Sequence, residues 1–185
     1  MNHILLIGGT GMLQDVAGYY TAKGYYVTVL ARNAGRLFSL KKKFIKLPGK
    51  IIPIAQDYRD WKTSIEKIKK AIDMIGPVDT AVLWIHDTGE IFSDKLKELL
   101  FTHNPRTNVY QLLGSATAHP ISLTNVEWKY KYPGRYREIY LGYVRNGRTT
   151  RWLTDEEIAG GVIRAIENDG TDYTIGVLDP WERRP

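Results

Sequence analysis

The residues Ile4-Leu5-Leu6-Ile7-Gly8-Gly9-Thr10-Gly11 restrict the chain to few folds. Four consecutive apolar residues suit a strand buried on both faces, and three glycines in four positions let the backbone turn tightly and pass close to another group. Behind them Leu13, Val16, Ala17 and Tyr20 fall at i, i+3, i+4 and i+7, the spacing of one helix face. A strand, a glycine turn and a helix in that order put free N–H groups and the positive end of a helix dipole at the turn. Such a turn suits an anion, above all a phosphate.

The following residues repeat the alternation of strand and helix. Lys23-Gly24 stops the first helix, and Tyr25–Leu30 is a strand rich in β-formers that Ala31-Arg32-Asn33 ends. A helix runs to about Phe44, Pro48-Gly49 turns the chain, and Ile51–Ala55 is a third strand whose proline points to an edge position or an irregularity. Ile65, Ile68, Ile72 and Ile75 mark a third helix, which Gly76-Pro77 stops. The uncharged run Thr80–Ile85 reads as a strand covered on both faces. A helix from about Ile91 to Thr102 precedes a fifth strand, Asn108–Leu113. Five strands alternating with four helices imply a three-layer, doubly wound, mostly parallel α/β sheet with right-handed connections, Rossmann-like in type.

The alternation breaks after Gly114. From Ile121 to Leu153 the reading is mostly extended: Tyr136–Val144 is a strong strand, Asn146-Gly147 a hairpin-type turn, and Thr149–Leu153 the return. The expectation is about seven strands with a hairpin-like insertion around 121–153. Helical order resumes at Thr154-Asp155-Glu156-Glu157, a capping box, with Ile158, Val162, Ala165 and Ile166 on the buried face, and Tyr173–Leu178 is a last strand.

At 185 residues the chain is expected to be one domain, 1–185. With no cysteine it has no disulfide, no thiolate nucleophile and no thiolate zinc site. No apolar run approaches the ~20 residues of a membrane helix, and the N-terminus enters a strand at once, which leaves no room for a signal peptide. A cytoplasmic protein without a membrane partner is expected. Lysine and arginine exceed aspartate and glutamate by 26 − 20 = 6, which favours an anionic partner. That excess is scattered over Lys41-Lys42-Lys43, a late set from Lys129 to Arg151, and Arg183-Arg184, as on solvated faces. Without a recognition-helix pattern or an interleaved aromatic and basic platform, nucleic acid has no support.

Four short places carry a family resemblance: the turn IGGTGML, the ARN that closes the second strand, an acidic residue after the third strand, and a serine after the fifth. Together they resemble the short-chain dehydrogenase/reductase superfamily, in particular its small atypical members. The resemblance implies a nicotinamide dinucleotide, with Gly8, Gly9, Thr10, Gly11, Met12 and Leu13 around its pyrophosphate. Gln14 stands where the family usually has glycine, and Asp15 adds a negative charge to the first helical turn. At the end of the second strand, Arg32 with Asn33 and Arg36 can pair with a 2′-phosphate where an acidic residue would hold the ribose hydroxyls. NADP is therefore expected over NAD. Asp57-Tyr58 falls where the family has an acidic residue near the adenine, and Trp84-Ile85-His86 replaces its Asn-Ala-Gly segment.

The resemblance also implies a serine that orients the carbonyl and a tyrosine that supplies the proton, assisted by a lysine one helical turn later. Ser115 stands in the serine's place. The Tyr/Lys pair is absent from its own: Tyr19/Lys23 and Tyr58/Lys62 have the spacing but lie elsewhere, and Tyr130, Tyr132, Tyr136, Tyr140 and Tyr143 lack lysine four residues on. A different acid is required. His86, at a strand's carboxyl end where ligands bind in open sheets, is the first candidate, unless a backbone carbonyl satisfies its ring. Tyr130 or Tyr132 is the second, with Lys129 or Lys131 as electrostatic partner. Ser115 and His119 lack a G-x-S-x-G elbow, which speaks against a hydrolase, and the histidines show no metal-ligand spacing. The expected activity is NADP(H)-dependent oxidation or reduction of a small alcohol or carbonyl compound. The competing expectation is a non-catalytic NADP(H) sensor or protein-interaction module of the same fold, and a homo-oligomer stays open.

Overall fold

In the computed structural model, residues 2–86, 89–114, 119–147, 149–168, 170 and 172–185 are described. Strand β1 (His3–Ile7) is buried at every position and lies inside a seven-stranded sheet. Alternate side chains point to opposite faces: Ile4 and Leu6 join one apolar core, Leu5 and Ile7 the other. The remaining strands of this sheet are β2 (Tyr26–Ala31), β3 (Lys50–Ala55), β4 (Thr80–Leu83), β5 (Asn108–Leu113), β6 (Tyr136–Leu141) and β9 (Tyr173–Ile175). Their spatial order is β3-β2-β1-β4-β5-β6-β9, with every pairing parallel. The order reverses between β1 and β4, the switch point at which ligands enter open sheets of this kind.

Helices cover both faces. The first core contains Leu13, Val16, Ala17 and Tyr20 in and before α1 (Gln14–Ala22), Leu37 and Leu40 from α2 (Ala34–Lys43), and Ile158, Val162 and Ala165 from α6 (Asp155–Glu167). The second contains Ile68 and Ile72 from α3 (Trp61–Ile75), Leu96 and Leu100 from α4 (Glu90–His103), and Trp128 from α5 (Val126–Lys131). Four helices begin on side-chain caps: Asn33 accepts from Arg36 N–H, Asp60 from Thr63 N–H, Asn125 from Trp128 N–H, and Thr154 with Glu157 forms the expected capping box. Pro53 sits in β3, which is an edge strand, so its missing N–H disrupts no ladder.

The segment 121–153 corrects the sequence reading. Pro120–Leu123 is a 3₁₀ turn and Val126–Lys131 is the short helix α5, capped by Asn125, where an extended chain was expected. Tyr136–Val144 is not one strand. β6 takes Tyr136–Leu141 into the main sheet, Gly142 breaks it, and β7 (Tyr143–Asn146) pairs with β8 (Thr149–Trp152) as a separate antiparallel hairpin. The cause is close backbone packing: a Cβ on Gly142 would lie 2.2 Å from the Val177 carbonyl oxygen. The last strand also ends early, at Ile175, because Gly176 turns with φ 79°. Likewise β4 leaves the sheet after Leu83, not at Ile85.

Candidate functional site

The glycine turn floors a groove of about 280 Å³ at the carboxyl ends of β1, β2 and β4. Gly8 adopts φ 85°, a conformation that favours glycine, and donates its N–H to Leu30 O at 3.0 Å. Gly9 is required by packing, since a Cβ there would meet Val29 at 2.6 Å. Gly11 faces open space: a Cβ added to it would find no heavy atom within 4 Å. The helix proper starts at Gln14, so residues 9–13 form the turn itself. Leu13 is fully buried and Met12 packs on the core, which leaves their backbone groups, not their side chains, for a ligand.

Thr10, Arg32, Asn33 and Arg36 line the same groove, with both arginines exposed. The Asn33 carbonyl oxygen caps α2, and its amide N–H₂ remains a donor. Beside them lies a depression of about 470 Å³ formed by Thr10, Gln14, Asn33, Arg36, Ser39 and Lys43. Lys43 approaches Asp15 at 3.7 Å, so the negative charge in the first turn of α1 has a cation beside it. On the other wall stand Gln56 and Tyr58. Asp57 does not line the groove: Arg59 binds its carboxylate at 2.6 and 3.0 Å, and that hydrogen bonding holds the carboxyl below its usual pKa.

Trp84 and His86 close the groove toward β5. The Trp84 indole lies across the strand ends, where a Cβ on Gly114 would come within 2.8 Å of its ring and one on Gly8 within 3.2 Å. His86 is exposed, meets Trp84 edge-on at 4.8 Å, and donates its backbone N–H to the Tyr58 hydroxyl at 3.4 Å. Ile85 flanks it. Ser115 lies outside the described residues; Gly114 before it ends the segment that follows β5.

His86 also borders a second cavity, of about 340 Å³, on the α4 side of the sheet. Its lining is Ile85, Leu113 and Leu123 with Glu90, Ser93, Asp94, Lys97, Gln111, Asn125 and Tyr136. Lys97 is 2% exposed, 3.0 Å from Asp94, and lies over the rings of Trp128 and Tyr136. Burial pulls the amine's pKa down, and the Asp94 carboxylate opposes that shift. The sequence reading missed Lys97. It falls on the buried stripe of α4 with Ser93, Leu96, Leu100 and Phe101, and a lysine in that register was the available signal.

The aromatic and basic residues of α5 divide sharply. Tyr130 is 89% exposed and lines neither cavity. Tyr132 stacks on Phe101 at 3.7 Å and on Trp128 at 5.7 Å as part of the core, with Lys131 over both Trp128 and Tyr132. Lys129 pairs with the fully buried Glu138 at 2.6 Å and with Asp172 at 2.5 Å. Although burial works to lower it, those carboxylates hold the Lys129 amine above its usual range. Glu138 also accepts from Asn125 N–H at 2.7 Å and from the Tyr140 hydroxyl at 2.8 Å, so this buried charge is well satisfied. Among the described residues no three His, Asp or Glu side chains converge as a metal site, and no helix is long and apolar enough to cross a membrane.

An all-parallel seven-stranded sheet, helices on both faces and a glycine turn at the switch point define a doubly wound, Rossmann-type fold. Solved structures that share it include short-chain dehydrogenases and reductases. An alcohol dehydrogenase from the archaeon Thermococcus sibiricus, complexed with 5-hydroxy-NADP, superposes with a TM-score of 0.73 at 17% identity over 96% of each chain. A citronellol catabolism dehydrogenase from Pseudomonas aeruginosa gives 0.74 at 14% identity over 95% of this chain and 93% of its own. A 3-oxoacyl-[acyl-carrier protein] reductase from Brucella melitensis gives 0.72 at 14% identity over 97% of both. No family model and no curated protein sequence matches the chain.

Proposed function

We propose that this protein is an NADP(H)-dependent oxidoreductase of the short-chain dehydrogenase type, acting on a small carbonyl or alcohol compound. The observation that carries the reading is a pair of adjoining cavities that share His86, one built on the glycine turn with two exposed arginines. The groove fits the phosphate-bearing half of a dinucleotide. Gly11 leaves room for close approach, the turn and the start of α1 offer N–H groups, and Lys43 offsets Asp15. Arg32, Arg36 and the Asn33 amide are the groups to hold a 2′-phosphate, since guanidinium pairs with phosphate through two parallel hydrogen bonds. When bound, the nicotinamide supplies or accepts the hydride.

The chain's own part is to orient the substrate and move one proton. His86, exposed at the junction of the cavities, is the group proposed to donate or accept it, with Ser115 orienting the carbonyl. Positioned proton transfer contributes on the order of 10²–10⁴ in rate. Tyr130 is not included, because its side chain stands in solvent.

Calorimetric titration with NADPH and NADH tests cofactor choice. NADPH is expected to bind at least tenfold more tightly, and Arg32→Glu to remove the preference; equal binding of the two by the natural protein overturns the NADP assignment. Loss of NADPH absorbance against a panel of small carbonyls tests the reaction. His86→Ala is expected to reduce the rate by 10²-fold or more, and a rate indifferent to both His86→Ala and Ser115→Ala removes the proposed site. The missing Tyr/Lys pair favours a second reading, a non-catalytic NADP(H)-binding module, which predicts tight binding with no turnover on any carbonyl.

A further inference from the structure

We infer that the cavity behind His86 selects carbonyl substrates that carry a hydroxyl or amino group and rejects those that carry a carboxylate or phosphate. This rests on the oxidoreductase reading above. A lysine in a cavity wall would ordinarily point to an anionic ligand, and Lys97 is the sole lysine or arginine among the described residues lining this one. Its surroundings reverse that expectation. The amine is 2% exposed, held 3.0 Å from Asp94 Oδ1 and lodged against the faces of Trp128 and Tyr136. Its charge is already matched, and its approach is blocked by two rings.

The group left to meet a ligand is Asp94. Two donors fix its Oδ1 from beneath, Lys97 Nζ and the Trp128 indole N–H, each at 3.0 Å. The side chain is nevertheless 45% exposed, and among the described residues Oδ2 accepts no hydrogen bond. The result is a carboxylate locked in orientation with one oxygen available, a preorganised acceptor. One helical turn earlier on α4, Glu90 lines the same cavity, and no ion pair among the described residues engages it.

Of the other polar walls, Gln111, Ser93 and Tyr136 are occupied, while Asn125, whose Oδ1 accepts from Trp128 N–H, keeps its amide N–H₂ as a donor. Gln111 Nε2 donates to the carbonyls of Leu83 and Leu112, its Oε1 accepts from Ser93, and Tyr136 donates to Glu138. Lys97 and Asp94 offset each other, and Glu90 adds a further carboxylate to the lining. A ligand carboxylate or phosphate would meet two like charges in a partly desolvated cavity, whereas a hydroxyl or ammonium would donate to Asp94 Oδ2. Ile85, Leu113 and Leu123 supply the apolar contact for a short carbon skeleton.

Three methyl ketones of equal carbon number isolate the effect: hydroxyacetone, aminoacetone and pyruvate, each offered to the full chain with NADPH. kcat/KM is expected to be at least tenfold higher for the hydroxyl- or amino-bearing ketone than for pyruvate. Asp94→Asn together with Glu90→Gln should narrow that ratio at least fivefold, by raising the pyruvate value as well as lowering the others. Because Asp94→Asn removes the counter-charge of a buried lysine, Glu90→Gln alone, on an exposed side chain, provides a variant without that folding risk and should move the ratio in the same direction. Calorimetry of the same ketones in natural and variant proteins reads the binding order without turnover. Pyruvate binding or reacting as well as the others, an order unchanged by both variants, or no binding of any ketone overturns the inference. Failure of NADPH to bind while the ketone order holds overturns the oxidoreductase reading instead.

Discussion

His3 shows how one buried side chain ties stability to pH. It sits at the amino end of the sheet, far along β1 from the glycine turn, with Nδ1 2.9 Å from the Gly76 carbonyl and Nε2 2.8 Å from Thr28 Oγ1. A neutral ring with its hydrogen on Nδ1 donates to the carbonyl and accepts from the Thr28 hydroxyl, so both ring nitrogens are satisfied without a charge. Burial lowers the pKa from 6.5, against smaller upward effects of the Gly76 carbonyl and Asp79. The sign follows from linkage: below about pH 6.5 the unfolded chain takes up a proton that the folded chain refuses, so stability declines from there down to the folded pKa and is level above. Urea unfolding midpoints should therefore agree at pH 7 and 8 and fall between pH 6.5 and 5.5. His3→Gln should be less stable at pH 8 by about 1–3 kcal/mol, through lost buried hydrogen bonds, yet show a flatter profile across that window. An equally steep fall in His3→Gln would exclude His3 as its cause.

Elements were legible where a period or a cap could be read. The helical spacing of apolar residues marks α1, α3 and α6 in the sequence, and the capping box at Thr154 is made in the structure, whereas the caps at Asn33 and Asp60 emerge only from the structure. β5 runs from Asn108 to Leu113, as read. α5 was not legible, because six residues make too few turns to display a period and its Trp and Tyr are also strand formers. The break at Gly142 was hidden for a different reason: the cause is Val177, far along the chain. Tyr143 and Val177 exchange both backbone hydrogen bonds, at 3.0 and 2.9 Å, beside that glycine. Gly142→Ala would press a methyl into rigid backbone, so it is expected to lower stability by about 1–3 kcal/mol and the melting temperature by several degrees. Gly11→Ala is the contrasting variant. Its Cβ would meet no protein atom, so stability should hold while NADPH affinity drops, since the added methyl stands where the ligand must approach. Equal loss of stability in the two variants would contradict the assignment of Gly11 to the ligand cradle.

At the scale of the molecule, all seven parallel strands send their carboxyl ends to one side, and both cavities open there. The half of this site built from local sequence, the glycine turn with Arg32 and Asn33, was readable, since each group follows directly from its own strand. The other half was not: Asp94 is set by Lys97 and Trp128, and the Lys97 amine by Tyr136, groups brought together from α4, α5 and β6 only by folding. The groove itself draws on β1, β2, β4 and the segment after β3, so no fragment of the chain contains it. A ligand that needs the whole sheet edge binds the folded chain and not the unfolded one, and must raise its stability by mass action. At a hundred times its dissociation constant NADPH would add about 2.7 kcal/mol, which for a chain of 185 residues amounts to roughly 5–10 °C in melting temperature. NADH at the same concentration should give a smaller rise, and Arg32→Glu should bring the two curves together without changing the melting temperature of the free protein, because the Arg32 side chain is exposed. Melting curves that do not move with NADPH across that concentration range would mean that the groove does not hold the dinucleotide.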